Sequence, residues 1–284
     1  MLDPLPQDDP APVSASASHQ DTLPYEIVEG DACGSATPGL ILLCDHASNA
    51  FPPGYGTLGM SADQLERHIA YDIGAAAVTR GLAARFRTPA ILSRYSRLFI
   101  DLNRGVDDPT LVMRLSDGAV IPGNRDADAK EVAHRIATYH APYHQAVDAL
   151  IDRSLDAGVV PVLLSVHSFT DRWKTTSRPW HITVLWDEDD RFPRPLLRAL
   201  EAEEDLCVDE NEPYTGSLVG DCMYQHGTQR GLAHGLIEIR QDLIASEAGQ
   251  AAWVDRLGRI LEDIWADKAL LNNMRQVRCN DTAK

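Results

Sequence analysis

The stretch PGLILLCDHASN, residues 38–49, decides the reading of the fold. Five apolar residues in a row, Leu40 to Cys44, stop at two polar ones, Asp45 and His46. A strand with one wet face alternates apolar and polar residues. A strand of a parallel sheet, covered by helices on both faces, stays apolar throughout. The same pattern returns in VVPVLLSVHSF, which reaches His167, and in Ala90 to Leu92, Leu98 to Leu102 and WHITVLWDE. It returns again in GLAHGLIEIR, where Glu238 stands between Ile237 and Ile239.

Between these runs lie helical patterns. Ser61 is suited to cap a helix of about 25 residues with Leu65, Ile69, Ile73 and Ala76 on one face. A second long helix is expected from about Ala127 to Ala157, kinked or broken at Pro142, whose ring cannot continue the hydrogen-bond ladder. Pro193 to Glu204 and a last helix carrying Trp253, Leu257, Ile260, Leu261 and Ile264 complete the set. Apolar strands alternating with helices predict an α/β protein with a mixed, mainly parallel sheet between helices. Residues 1–24, rich in Pro, Ala, Ser and Asp, read as a disordered leader, residues 25–272 as one domain and 273–284 as a tail.

Composition narrows the function. A formal net charge of −16 argues against nucleic acid and anionic membrane as partners. The chain has no apolar stretch near the roughly 20 residues of a spanning helix, and its start has no basic and apolar signal pattern. Five scattered cysteines without a CxxC pair argue against a disulfide framework and fit a reducing cytoplasm.

In such sheets chemistry gathers beyond the carboxyl ends of the strands. Asp45, His46 and Asn49 follow one strand, Asp101, Asn103 and Arg104 another, and His167 and Ser168 a third, while Glu238 interrupts a fourth. Two strand-end histidines with a carboxylate on a neighbouring strand fit a divalent-ion site, zinc in particular, with a general base. Glu238 is the expected base, because an ionised carboxylate in an apolar strand is costly unless it is used or paired. Asn103 and Arg104 suit a substrate carboxylate, which a guanidinium grips with two parallel bonds. Arg94, Arg97, Arg178, Arg230 and Arg240 are candidates for a second anion contact, Arg97 foremost. His140 and His144, flanked by Tyr139 and Tyr143, are expected on a packed helix surface, and Tyr224 and His226 in a loop over the site.

With these residues in place, CDHASNAFP, SRLFIDLNR, YHAPYH and LLSVHSF together resemble the N-formylglutamate amidohydrolase family, from about Leu40 to Ile264. That family in turn is similar to the zinc carboxypeptidase and aspartoacylase superfamily. The resemblance implies a carboxypeptidase-like fold and metal-dependent cleavage of a small anionic N-acyl amino acid, N-formyl-L-glutamate first among them. It also implies roles: His46 and His167 as metal ligands, Asn103 and Arg104 as the carboxylate clamp, Glu238 as the base. Asp101 would orient His46 from behind. The superfamily's HxxE motif reads HASN here, which makes Asn49 the third ligand by position, with Asp45 and Asp72 as alternatives. Two rival readings are a deacylase or carboxypeptidase for another acyl group, and a non-catalytic carboxylate-binding member of the fold.

Overall fold

The computed structural model describes residues 23–30 and 37–278. The expected leader lies outside them save Leu23 and Pro24, as do Cys33, Cys279 and the last residues of the tail. The boundary expected at residue 272 falls within the last helix, which extends to Met274.

Seven strands form the central sheet: β1 (Tyr25–Val28), β2 (Leu40–Cys44), β3 (Ala90–Ser93), β4 (Val162–Phe169), β5 (Ile182–Leu185), β6 (Val208–Glu210) and β7 (His234–Arg240). Their order is β1-β3-β2-β4-β7-β5-β6. The inner four, β3, β2, β4 and β7, run parallel; β1 pairs antiparallel with β3, and β5 antiparallel with β7. The sheet is therefore mixed and mainly parallel, as the uninterrupted apolar runs require.

Alternation along each strand divides the core into two layers. Leu40, Leu42 and Cys44 of β2, Val162, Leu164 and Val166 of β4, and Ile237 and Ile239 of β7 pack on one face. There they meet α2 (Ala75–Phe86), α5 (Pro193–Glu201), α6 (Glu247–Ala266) and Met274 at the end of α7 (Lys268–Met274). Ile41, Leu43, Leu163 and Leu236 point to the opposite face, toward Tyr143, Val147, Leu150 and Ile151 of α4 (Ala141–Asp156). Among the described residues no helix is long and apolar enough to cross a membrane.

Three local expectations are corrected. The helix expected from Ser61 is a single turn, α1 (Ala62–Leu65), after which the chain turns until α2 begins at Ala75. Gly74 explains the break: its φ is +82°, and a Cβ there would lie 2.2 Å from the Ile244 carbonyl oxygen. Leu98 to Leu102 is a buried turn and not a strand. Its backbone carbonyls bond to side chains instead of to a ladder: Asn124 donates to Leu98 O (2.7 Å), and the buried Arg135 to Phe99 O (2.8 Å). The run of apolar residues records burial, which strands and buried turns share. Finally, the long helix around Pro142 is α3 (Ala129–Arg135), a π-helical turn (Ile136–His140) and α4 in succession, so the proline is accommodated by one wide turn.

Candidate active site

Parity places the polar strand residues together. Asp45 continues the odd face of β2, His167 shares a face of β4 with Leu163 and Ser165, and Glu238 shares one with Leu236 on β7. All three point to the α4 side, at the carboxyl ends of adjacent parallel strands. Glu238 is the register partner of His167 in the β4–β7 ladder.

The imidazoles of His46 and His167 meet edge to face at 4.9 Å between centroids. Asp72 lies against both, with Oδ2 2.7 Å from His167 Nδ1 and 3.3 Å from His46 Nδ1. The broken helix delivers it: the Asp72 amide donates to the His46 carbonyl (2.9 Å), and Gly74 then reverses the chain. Each histidine has another carboxylate behind it. Asp101 Oδ1 is 2.6 Å from His46 Nε2, and Asp45 Oδ2 is 3.2 Å from His167 Nε2. Asp45 is itself fixed by the Tyr143 hydroxyl at 2.5 Å and that of Ser165 at 3.1 Å. A carboxylate on each Nε2 leaves the two Nδ1 atoms facing each other across Asp72.

Among the described residues, His46, Asp72 and His167 form one of two groups whose donor atoms could hold a metal ion. The surroundings fit a cation. Three fully buried carboxylates, Asp45, Asp72 and Asp101, converge here, and Arg97 is the guanidinium bonded to them, at 3.0 Å to Asp101 and 3.5 Å to Asp72. Burial opposes charge on these acids, yet the neighbouring histidines, with Arg97 beside Asp101, hold all three below the usual carboxylate range. Burial likewise opposes charge on His167, but its bonds to Asp45 and Asp72 outweigh this and raise it to about 10. The cluster is built to retain positive charge.

Asn49 stands apart. Its amide nitrogen donates to Leu65 O (3.0 Å) and Glu66 Oε1 (3.4 Å), so it ties the loop after β2 to α1. The third corner beside the two histidines is Asp72. The helical pattern around Ile69 and Ile73 concealed the turn that aims it inward.

Glu238 is 7% exposed, and its Oε2 is buried with no hydrogen-bond partner. Burial, and then the charge on Asp72, push its carboxyl up to about 8. It lines a cavity of about 440 Å3 together with His46, His167, Arg97, Asn103 and Arg104. Asn103 is held by Asp101, which accepts from its backbone N–H at 2.9 Å, and by the Cys222 N–H, which donates to its Oδ1 at 3.1 Å. Arg104 Nη1 donates to the Asn103 carbonyl at 2.7 Å, and Asp108 lies 3.8 Å from its Nε. The lining also includes the apolar Leu185, Trp186, Leu218, Met223 and Leu236, beside Tyr214.

Other candidates lie elsewhere. Arg94 bonds Tyr25 O, Arg230 pairs with Asp148 and Asp152, and Arg240 pairs with Asp242. Arg178 is buried, its guanidinium 5.3 Å from the centre of the Tyr214 ring. His140 and His144 are buried in the packing at the start of α4, and His226 packs against α4 instead of covering the cavity. Sequence reasoning missed Asp221, a cavity-lining acid that burial raises to about 6; nothing in its local sequence distinguishes it.

Comparison with known proteins shows the family and the fold. A model of the N-formylglutamate amidohydrolase family matches residues 39–245. The crystal structure of a gene product of Agrobacterium tumefaciens is 34% identical with a TM-score of 0.79, over 86% of this chain and 95% of that one. That of N-formylglutamate amidohydrolase from Ralstonia eutropha is 20% identical with a TM-score of 0.62, over 86% and 97%. No curated protein matches the chain significantly.

Proposed function

Since the chain belongs to the N-formylglutamate amidohydrolase family, we propose that it hydrolyses the amide bond of a small N-acyl amino acid with the aid of one divalent ion, zinc, held by His46, Asp72 and His167. The observation that carries the reading is the placement of Glu238, a buried carboxylate with a free oxygen, in register with His167 on the wall of the same cavity as Arg104.

A divalent ion, when bound, would polarise the acyl carbonyl and acidify water. The residues divide the remaining work. Arg104 and Asn103 take the α-carboxylate and fix the amide near the two histidines, which lowers the entropic part of the barrier. Glu238 accepts a proton from water at its unpartnered oxygen and returns it to the leaving nitrogen. Burial and the charge on Asp72 raise its affinity for a proton, which suits the delivery half of that cycle, and a bound cation would favour the ionised form that the accepting half needs. Asp101 and Asp45 hold the imidazoles with Nδ1 forward and enrich them in electron density. Arg97, spanning Asp72 and Asp101, locks the relative position of these acids and presents a cavity-lining charge to a second substrate carboxylate.

N-formyl-L-glutamate is the substrate the family description favours, with formate and L-glutamate as products. The apolar part of the lining, Leu185, Trp186, Leu218 and Met223, favours a second reading, a deacylase for an N-acyl amino acid with an apolar side chain. Formate release and amine appearance, measured over a panel of N-formyl and N-acetyl amino acids with the zinc-loaded protein, decide between them. A kcat/KM highest for N-formyl-L-glutamate supports the first reading, and a preference for apolar side chains the second. No turnover of any member of the panel overturns both.

A further inference from the structure

A second group of donors lies behind the active-site cavity, where α4 meets the segment after β6. His144 on α4, together with Cys222 and His226, is buried, and the ligand atoms of the three lie within 4.8 Å of one another. His226 Nδ1 is 3.0 Å from Asp148 Oδ1. The carboxylate can only accept, so Nδ1 carries the proton and Nε2 turns a lone pair inward. That lone pair accepts from His144 Nδ1 at 2.8 Å, a hydrogen bond that an ion would replace by moving the His144 proton to Nε2. The other nitrogen of His144, Nε2, is buried and makes no hydrogen bond of good geometry. His140 lies on the other side, its ring 4.3 Å from that of His144.

The backbone is shaped around the same point. His226 sits in a π-helical turn (Tyr224–Thr228), and a second such turn (Ile136–His140) immediately precedes α4. Wide turns of this kind collect at functional sites. A carboxylate behind one imidazole, here Asp148 on His226, is the arrangement that orients metal-binding histidines. Two nitrogens and a sulfur make a soft donor set, suited to zinc or cobalt(II) and not to magnesium or calcium.

We propose that His144, Cys222 and His226 form a second divalent-ion site with a cysteine thiolate ligand, distinct in its donors from the His46–Asp72–His167 group but adjoining it, since Asp45, which bonds His167, also accepts from the Cys222 thiol. Entry of the ion displaces the thiol proton of Cys222 to solvent and leaves a thiolate–metal bond; a water molecule completes four-coordination. The two imidazoles need only part from 2.8 Å to about 3.3 Å to share a tetrahedral ion. The site braces the substrate clamp from behind. The Cys222 amide bonds Asn103, and His140, whose ring lies 4.3 Å from that of His144, bonds the Arg104 carbonyl at 2.9 Å.

The test is a cobalt titration of the full chain after chelation, read by metal content and by the near-ultraviolet thiolate-to-cobalt absorption. Two ions per chain and a thiolate band are expected in the unaltered protein. Cys222→Ser should lose the band and one ion. Asp72→Asn should lose the other ion and keep the band, which separates failure of this proposal from failure of the catalytic one. A protein without the band, or a band that survives in Cys222→Ser, overturns the proposal. Should Cys222→Ser not fold, X-ray absorption of the unaltered zinc protein decides: a sulfur neighbour at about 2.3 Å supports the site, and a shell of nitrogen and oxygen alone overturns it.

Discussion

Glu238 and His167 face each other across the parallel ladder of β4 and β7, each on the strand face that looks away from α2 and α6. Strand geometry alone therefore sets their spacing, and no loop has to fold correctly to bring them together. A carboxylate and an imidazole placed in this way tolerate little displacement, because both strands lie in the interior of the sheet.

The ligand set is tested first. Asp72→Asn and His46→Ala should each reduce zinc at the catalytic group to a small fraction of its original level, measured by elemental analysis after dialysis. Asn49→Ala should keep it, since the Asn49 amide is engaged with Leu65 and Glu66. Zinc retained at that group in Asp72→Asn, or lost in Asn49→Ala, would return the third position to Asn49.

Replacing Glu238 by Gln preserves shape and removes the proton acceptor, so kcat should fall by roughly 10²–10⁴ while KM changes little. The same variant has a stability signature in chelated protein. The folded chain holds the Glu238 proton up to about pH 8, whereas the unfolded chain releases it near its ordinary value of 4.5. The stability this confers is complete below about pH 4.5 and is lost as the pH rises through 8. Thermal melts of Glu238→Gln and the unaltered protein should therefore diverge across that window, with the variant losing less Tm toward alkaline pH. Parallel curves would remove the raised proton affinity from the account.

Arg104→Lys retains charge and gives up the two-pronged grip. For substrates with a free α-carboxylate, kcat/KM should drop about 10–100-fold, the equivalent of ~1.5–3 kcal/mol for a hydrogen bond to a charged group. The matching α-amides, poor from the start, should scarcely change. Equal losses on acids and amides would make Arg104 a support for the turn and not a substrate contact.

Arg135 supplies a stability prediction. It is 2% exposed, donates to Phe99 O and Asn124 Oδ1 at 2.8 Å each, pairs with Glu131 at 2.7 Å, and lies over the Phe99 ring. Arg135→Ala leaves these acceptors stranded under the turn that carries Arg97 and Asp101, and should cost about 3–5 kcal/mol by denaturant titration. A loss below about 1 kcal/mol would show that water readily replaces the guanidinium.

The sheet was legible in the sequence because its inner strands are short apolar runs that end on polar residues, as in Leu40 to His46 and Val162 to His167. Those endings also brought His46 and His167 to one end of the sheet, with Glu238 in register beside His167 on the next strand. The edge strands β1 and β6 were not legible, being short and half-buried, without the pattern that burial on two faces imposes. Asp72 was legible only as an alternative third ligand on a helix face, since a turn with buried side chains at helical intervals gives the same signal as a helix. Leu98 to Leu102 misled for a related reason: its polar backbone is satisfied by Asn124 and Arg135, partners 26 and 36 residues away from the carbonyls they serve. The pairing of His144 with His226 spans 82 residues and exists only once α4 and the segment after β6 are docked.

The separations among His46, Asp72 and His167 also bear on how the chain folds. Asp72 is 26 residues from His46 and 95 from His167. Closing both loops requires β2 and β4 to be paired, so no short fragment of the chain contains the complete set. An ion that needs all three donors binds the native chain and not its unfolded ensemble, and it stabilises the former in proportion to the logarithm of its concentration. Long-range closure is the slow part of assembling a parallel sheet. In a stopped-flow refolding experiment, uptake of such an ion would mark the moment at which the central strands come into register.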